Sequence, residues 1–131
     1  MKKKTNLSET VKNIRKKKSA KKLPLHFNQT VFLDKVGEDE HFINTIFNIF
    51  FNNFATSFNM IKKAYLNNDK DAYFKTIHYL KGETATLCLD VLTEYFEKLE
   101  KSSFRAHKKI ILLFSKIDDE FIWLKNNNIP F

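Results

Sequence analysis

The chain reads as an all-α protein: an antiparallel up-down four-helix bundle with a short additional helix on its N-terminal side. Three features predict this. Only two glycines and two prolines occur in 131 residues, too few punctuating residues for the turns of a β fold. Fourteen phenylalanines supply bulk for one modest core, as suits a single domain of this length. Apolar residues also recur at three- and four-residue spacing along several segments, the period of a helix with one buried face.

Residues 1–26 read as a basic, flexible arm and residues 27–131 as the helical body. In the arm, Leu7, Val11 and Ile14 have helical spacing and Ser8 suits a cap, but three apolar residues are too few to fold a helix alone. Leu23-Pro24-Leu25 closes the charged stretch, because proline disfavours helix in the residue before it. A short helix is expected from about Asn28 to Val36, stopped by Gly37. A long helix follows from about Asp39 to Leu66, with Glu38, Asp39 and Glu40 at its positive end. Its stripe is Ile43, Ile46, Phe47, Phe50, Phe54, Ile61 and Tyr65. Phe42, Ile49 and Met60 lie on one flank, more apolar surface than a single bundle interface requires. Asp69 is placed to cap a third helix, about Lys70 to Leu87. Asp90 is expected to cap a fourth, ending near Lys101, with the stripe Leu92, Tyr95, Phe96 and Leu99. Ser103 is expected to cap a fifth, from about Phe104 to Lys125, whose Ile110, Phe114, Ile117, Phe121 and Leu124 alternate by four and three. His107 falls on that seam and is expected to be partly buried with a partner.

The net charge of +8 is concentrated at one end. Residues 1–22 hold ten of the 23 Lys/Arg and one acid, Glu9, giving +9; the other 109 residues carry 13 basic and 14 acidic groups, giving −1. A uniformly basic nucleic-acid-binding body does not look like this. The arm alone suits acidic surfaces: an anionic membrane face, nucleic acid or an acidic protein patch. The lone Cys88 forms no internal disulfide and has no Cys or His at ligand spacing, so a packed thiol in a reducing cytoplasm is expected. His26, His41 and His107 likewise lack partners at ligand spacing, and neither a metal site nor a cofactor site is expected. No apolar run approaches the ~18 residues that span a bilayer, and the N-terminus lacks the apolar stretch of a signal peptide.

Rotation by 100° per residue through the third helix sets Asp71, Phe74, Lys75, Lys81, Gly82 and Ala85 on the side of His78. Tyr73, Thr76, Ile77, Leu80, Thr84 and Leu87 gather opposite. The apolar side is the core side, so His78 is expected to face solvent. A neutral imidazole is a good nucleophile toward phosphorus near neutral pH. Lys81, one turn on, can set a cation beside phosphoryl oxygens. Gly82 costs about 1 kcal/mol inside a helix relative to alanine, and clearance above the imidazole is a reason to carry it.

The segment His78-Tyr79-Leu80-Lys81-Gly82-Glu83-Thr84-Ala85-Thr86-Leu87 resembles the signature of histidine-containing phosphotransfer (HPt) domains, commonly His-x-Leu-Lys-Gly-Ser-Ser-Ala-x-Leu-Gly. The likeness runs from roughly Phe27 to the C-terminus. It takes in Leu33-Asp34-Lys35-Val36-Gly37, Asn67-Asn68-Asp69-Lys70-Asp71, and Leu92, Tyr95, Phe96, Leu99 and Glu100. Two positions depart from it: Glu83 replaces a small residue, and Cys88 stands where a second glycine is common. The resemblance implies that His78 Nε2 is the phosphoacceptor, that Lys81 stabilises the phosphoryl group and that Gly82 gives the partner clearance. Asp71, Phe74, Lys75 and Ala85 would then border the docking area.

The implied partners are receiver domains of response regulators or a hybrid histidine kinase, with the receiver bringing the phosphoryl-aspartate and Mg²⁺. The implied role is that of a monomeric, cytoplasmic phosphocarrier in a two-component relay rather than a kinase, since no nucleotide-binding glycine loop is present. Two rival readings are an HPt-like interaction protein that docks a receiver or kinase without carrying phosphate, and a helical protein binding nucleic acid through its basic arm.

Overall fold

Short polar side chains begin the helices where the chain leaves its turns. Asn28, Asp39 and Asp69 each accept a hydrogen bond from the backbone N–H three residues on, at Val31, Phe42 and Ala72, which satisfies a donor that has no intrahelical acceptor. In a computed structural model, which describes residues 23–130, the result is five helices and, among the described residues, no strand. They are α1 (Gln29–Val36), α2 (Glu40–Leu66), α3 (Lys70–Thr86), α4 (Asp90–Lys101) and α5 (His107–Asn126). Residues 1–22, with the helical spacing of Leu7, Val11 and Ile14, lie outside the described residues.

Three of the helices end by one device. Asn68, Cys88 and Asn128 take φ of 58°, 58° and 56°. In each case that residue and the next donate their N–H groups back to the last turn: Asn68 to Tyr65 and Asp69 to Ala64, Cys88 to Ala85 and Leu89 to Thr84, Asn128 to Lys125 and Ile129 to Leu124. This is the pattern that favours glycine, with asparagine next best. At position 88 the backbone is left-handed, and cysteine adopts that conformation at a cost of roughly 1–2 kcal/mol.

Two caps differ from the sequence expectation. Asp90 is the first helical residue of α4 rather than its cap, which is Leu89 without a side-chain hydrogen bond; its carboxylate instead sits in the first turn, where the helix dipole favours it. The last helix begins at His107, not near Phe104. Ser103 caps a tight turn by accepting from the Arg105 N–H, while Phe104 turns inward against Tyr65 and Tyr73, each 5.0 Å away between ring centres. Burying that ring delays the helix by three residues.

The helices share one core. Phe32 of α1, Phe47, Phe50, Phe54, Phe58 and Ile61 of α2, Ile77 and Leu80 of α3, Leu92 and Phe96 of α4, and Ile117 and Leu124 of α5 are all buried in it. The expected stripes are seated, with Ile46, Tyr65, Tyr95 and Phe121 at the half-buried margin. Phe58 and Leu113 join the core without having been singled out by periodicity. Phe54 stacks on Phe121 at 4.2 Å, so α2 lies against α5 as well as along α3.

Strain relief and lost packing oppose each other at Cys88, which is 4 % exposed. Cys88→Gly is therefore expected to change the unfolding free energy by less than about 1 kcal/mol, because relieving the left-handed strain offsets the lost burial. Cys88→Val is expected to cost more than about 2 kcal/mol, since a β-branched residue is disfavoured there. Urea denaturation of the two variants checks the order.

Candidate functional site

Tyr73, Ile77, Leu80 and Thr84 are buried along one face of α3, and this fixes the helix's rotation. His78 therefore stands on the outer face, its side chain 73 % exposed. Its Nδ1 lies 2.9 Å from Oε2 of Glu100, near the end of α4. The other oxygen of Glu100 accepts from Lys81 Nζ at 2.5 Å. One carboxylate thus joins the imidazole and the ammonium.

The bridge decides which imidazole nitrogen is free. An ionised carboxylate only accepts hydrogen bonds, so the His78 proton facing it sits on Nδ1, and in the neutral ring the Nε2 lone pair points to solvent. Glu100 is held ionised: the Lys81 hydrogen bond lowers its pKa below the ordinary 4.5, His78 adds to the effect, and partial burial opposes both. Lys81 at rest is engaged with Glu100, one bond away from the imidazole rather than loose in solvent.

Gly82 has no structural duty of its own. A Cβ built there meets no atom within 4 Å, and its backbone does not need a positive φ. The space above this stretch of α3 is open on the side of His78.

The other sequence-selected residues lie along the same side of α3. Asp71, Lys75 and Ala85 are exposed, and no ion pair among the described residues links Asp71 or Lys75 to His78. Phe74 is half-buried, its ring edge-on to Tyr73 at 4.8 Å and tilted toward Phe104. Glu83 and Thr86 border a groove of ≈ 450 Å³ whose other walls are Val36, Phe42, Ile46, Ile49 and Leu87. Partial burial raises the Glu83 pKa.

Glu100 is the residue that sequence reasoning missed as a member of the site, although its place in the helical pattern was noted. A count from the turn finds it: His78 lies nine residues before Leu87 and Glu100 eleven after Leu89, which puts them at similar depth if α3 and α4 run antiparallel.

Two histidines gain partners that spacing does not reveal. His26 stacks on Trp123 at 3.6 Å and sets Nδ1 2.6 Å from the buried carboxylate of Glu120. His107, expected partly buried on the last seam, is instead exposed at the start of α5, where it stacks on Tyr65 and bonds its hydroxyl at 2.8 Å. As the first residue of α5 it stands at the end of the seam, outside the core. Cys88 is a packed, free thiol. Among the described residues no three His, Cys, Asp or Glu side chains converge as a metal-ion set, and no helix is long and apolar enough to cross a membrane.

Compared with known proteins, the chain matches no family model, no curated protein and no solved structure.

The linkage follows from the direction of the Glu100 shift. A carboxylate whose pKa is lowered on folding contributes stability above its ordinary 4.5 and loses it as pH falls through the lower folded value. The pair is partly exposed, so the contribution is at most about 1 kcal/mol. The stability gap between wild type and Glu100→Gln is expected to shrink as pH is lowered from about 6 to about 3, read by thermal denaturation. Nitrogen-15 NMR of the His78 ring at neutral pH is expected to show Nδ1 protonated, and a mixture of tautomers in Glu100→Ala.

Proposed function

We propose that this chain is a histidine phosphotransfer protein. It accepts a phosphoryl group on His78 Nε2 from the aspartate of one receiver domain and donates it to another. In this reading α2 to α5 form an antiparallel four-helix bundle with α1 as an added helix. The protein works as a monomer in the cytoplasm, and its basic arm contacts acidic surfaces. The observation that carries the reading is the solvent-facing His78, bonded through Nδ1 to Glu100, with open space over Gly82.

The step balances within this frame. The Nε2 lone pair attacks phosphorus, the bond from phosphorus to the receiver's carboxylate oxygen breaks, and the carboxylate is regenerated. The proton on Nδ1 stays in place, and Glu100 offsets the positive charge that grows on the ring. Lys81 lies within a side-chain swing of the incoming oxygens, so it can exchange its bond to Glu100 for one to the phosphoryl group. The receiver supplies the phosphoryl-aspartate and its Mg²⁺, and this chain supplies the nucleophile, its orientation and a cation. Phosphoryl transfer asks chiefly for positioning and charge neutralisation.

The role of interaction protein that never carries phosphate draws on the departures at Glu83 and Cys88. Cys88 occupies a helix terminus, so that departure bears on packing rather than on the reaction.

Incubation with a receiver phosphorylated by acetyl phosphate is expected to place acid-labile label on the wild type and none on His78→Gln; label on the variant defeats the site assignment. Wild type left unlabelled by any receiver favours the docking role. Lys81→Ala is expected to slow transfer roughly 10–100-fold without abolishing it. Gly82→Ala is expected to stabilise the fold by about 0.5–1 kcal/mol, whereas Gly82→Gln folds but transfers more than about tenfold slower, because the added side chain occupies space meant for the partner.

A further inference from the structure

Round α3 from His78, past Gly82, lies an apolar groove whose lining contains one charge. Phe42 and Ile49, 47 % and 52 % exposed, form its rim with Val36 and Ile46, and exposed apolar surface of this kind marks an interaction site more often than chance. At 100° per residue, Gly82, Thr86 and Tyr79 lie about 40°, 80° and 100° round α3 from His78, and Glu83 lies about 140° round. The first three are exposed. Five residues of helix rise only about 7.5 Å, and Thr86 itself lines the groove, so a protein seated over the imidazole reaches the groove across Gly82 and Thr86.

Glu83 stands half-buried in that apolar lining. None of the ion pairs formed among the described residues includes it. Lys35, next to the groove wall at Val36, spends its ammonium on the Thr86 carbonyl at 3.1 Å. A carboxylate withdrawn from water without a cation is costly, and its raised pKa has the same origin. A cation brought in by another molecule removes that cost.

We propose that Glu83 is a specificity-determining residue, selecting receiver domains that present a lysine or arginine within an apolar docking patch. The inference rests on the phosphotransfer reading of His78 and adds to it the chemistry of the preferred partner. A receiver with an apolar residue at that place leaves the carboxylate desolvated and unpaired, so discrimination comes from the penalty as much as from the pair.

The test uses the full chain and the receiver domains encoded in the same genome, each phosphorylated with acetyl phosphate; the fastest donor is kept. With it, Glu83→Gln is expected to lower the second-order transfer rate about 5–20-fold and Glu83→Lys more than about 100-fold, mainly through the concentration for half-maximal rate. Replacing the receiver's facing lysine or arginine by glutamate is expected to restore transfer to Glu83→Lys. Labelling of His78 by phosphoramidate, which needs no docking, is expected to be the same in all variants, separating docking from folding. Equal transfer by wild type and Glu83→Gln, or no rescue by any charge swap, overturns the inference and leaves the phosphotransfer reading intact. Failure of every receiver to label the wild type overturns both.

Discussion

The rotation of α3 is the constraint on which the site depends. Tyr73, Ile77, Leu80 and Thr84 have no accessible surface, and burying large apolar side chains stabilises by about 1.5–3 kcal/mol each. Turning the helix by even one residue, 100°, would expose several of them. No interaction on the outer face is strong enough to compete, because its ion pairs are partly exposed and worth about 1 kcal/mol or less. His78 is therefore aimed by the buried side chains of the opposite face of its helix. The same rotation sets Lys81 toward α4 and leaves Gly82 under open space.

Glu100 then converts an exposed histidine into an oriented one. Its contribution to stability is small, since the His78 end of the bridge is in water. Its value lies in what it fixes: the proton on Nδ1, the lone pair on Nε2, and an ammonium within one side-chain swing. In the phosphotransfer reading proposed above, the carboxylate that orients the ring before the reaction also offsets its charge afterwards. A group held by hydrogen bonds on a rigid helix needs little reorganisation when charge develops.

Two departures from the resembling motif have different physical meanings. Cys88 lies at a left-handed helix terminus, so its cost is local strain, offset in part by burial of the thiol. Glu83 lies on the surface that continues from the imidazole, and its cost is desolvation. Strain inside a turn concerns folding; an uncompensated charge in an exposed groove concerns what the groove meets.

Much of this was legible from order and spacing alone. Helical class, the cap Asp69, the stop at Gly37, the buried stripes and the outward phase of His78 all follow from periodicity and from short polar residues at turn positions, which act within about four residues along the chain. Contacts between distant segments were not legible. His78 to Glu100 spans 22 residues and His26 to Glu120 spans 94. The displaced start of α5, with His107 outside the core, came from Phe104 finding room against Tyr65 and Tyr73. Periodicity states how a helix is turned about its own axis; how deep one helix lies along another depends on which side chains interdigitate, and only the packed tertiary structure decides that.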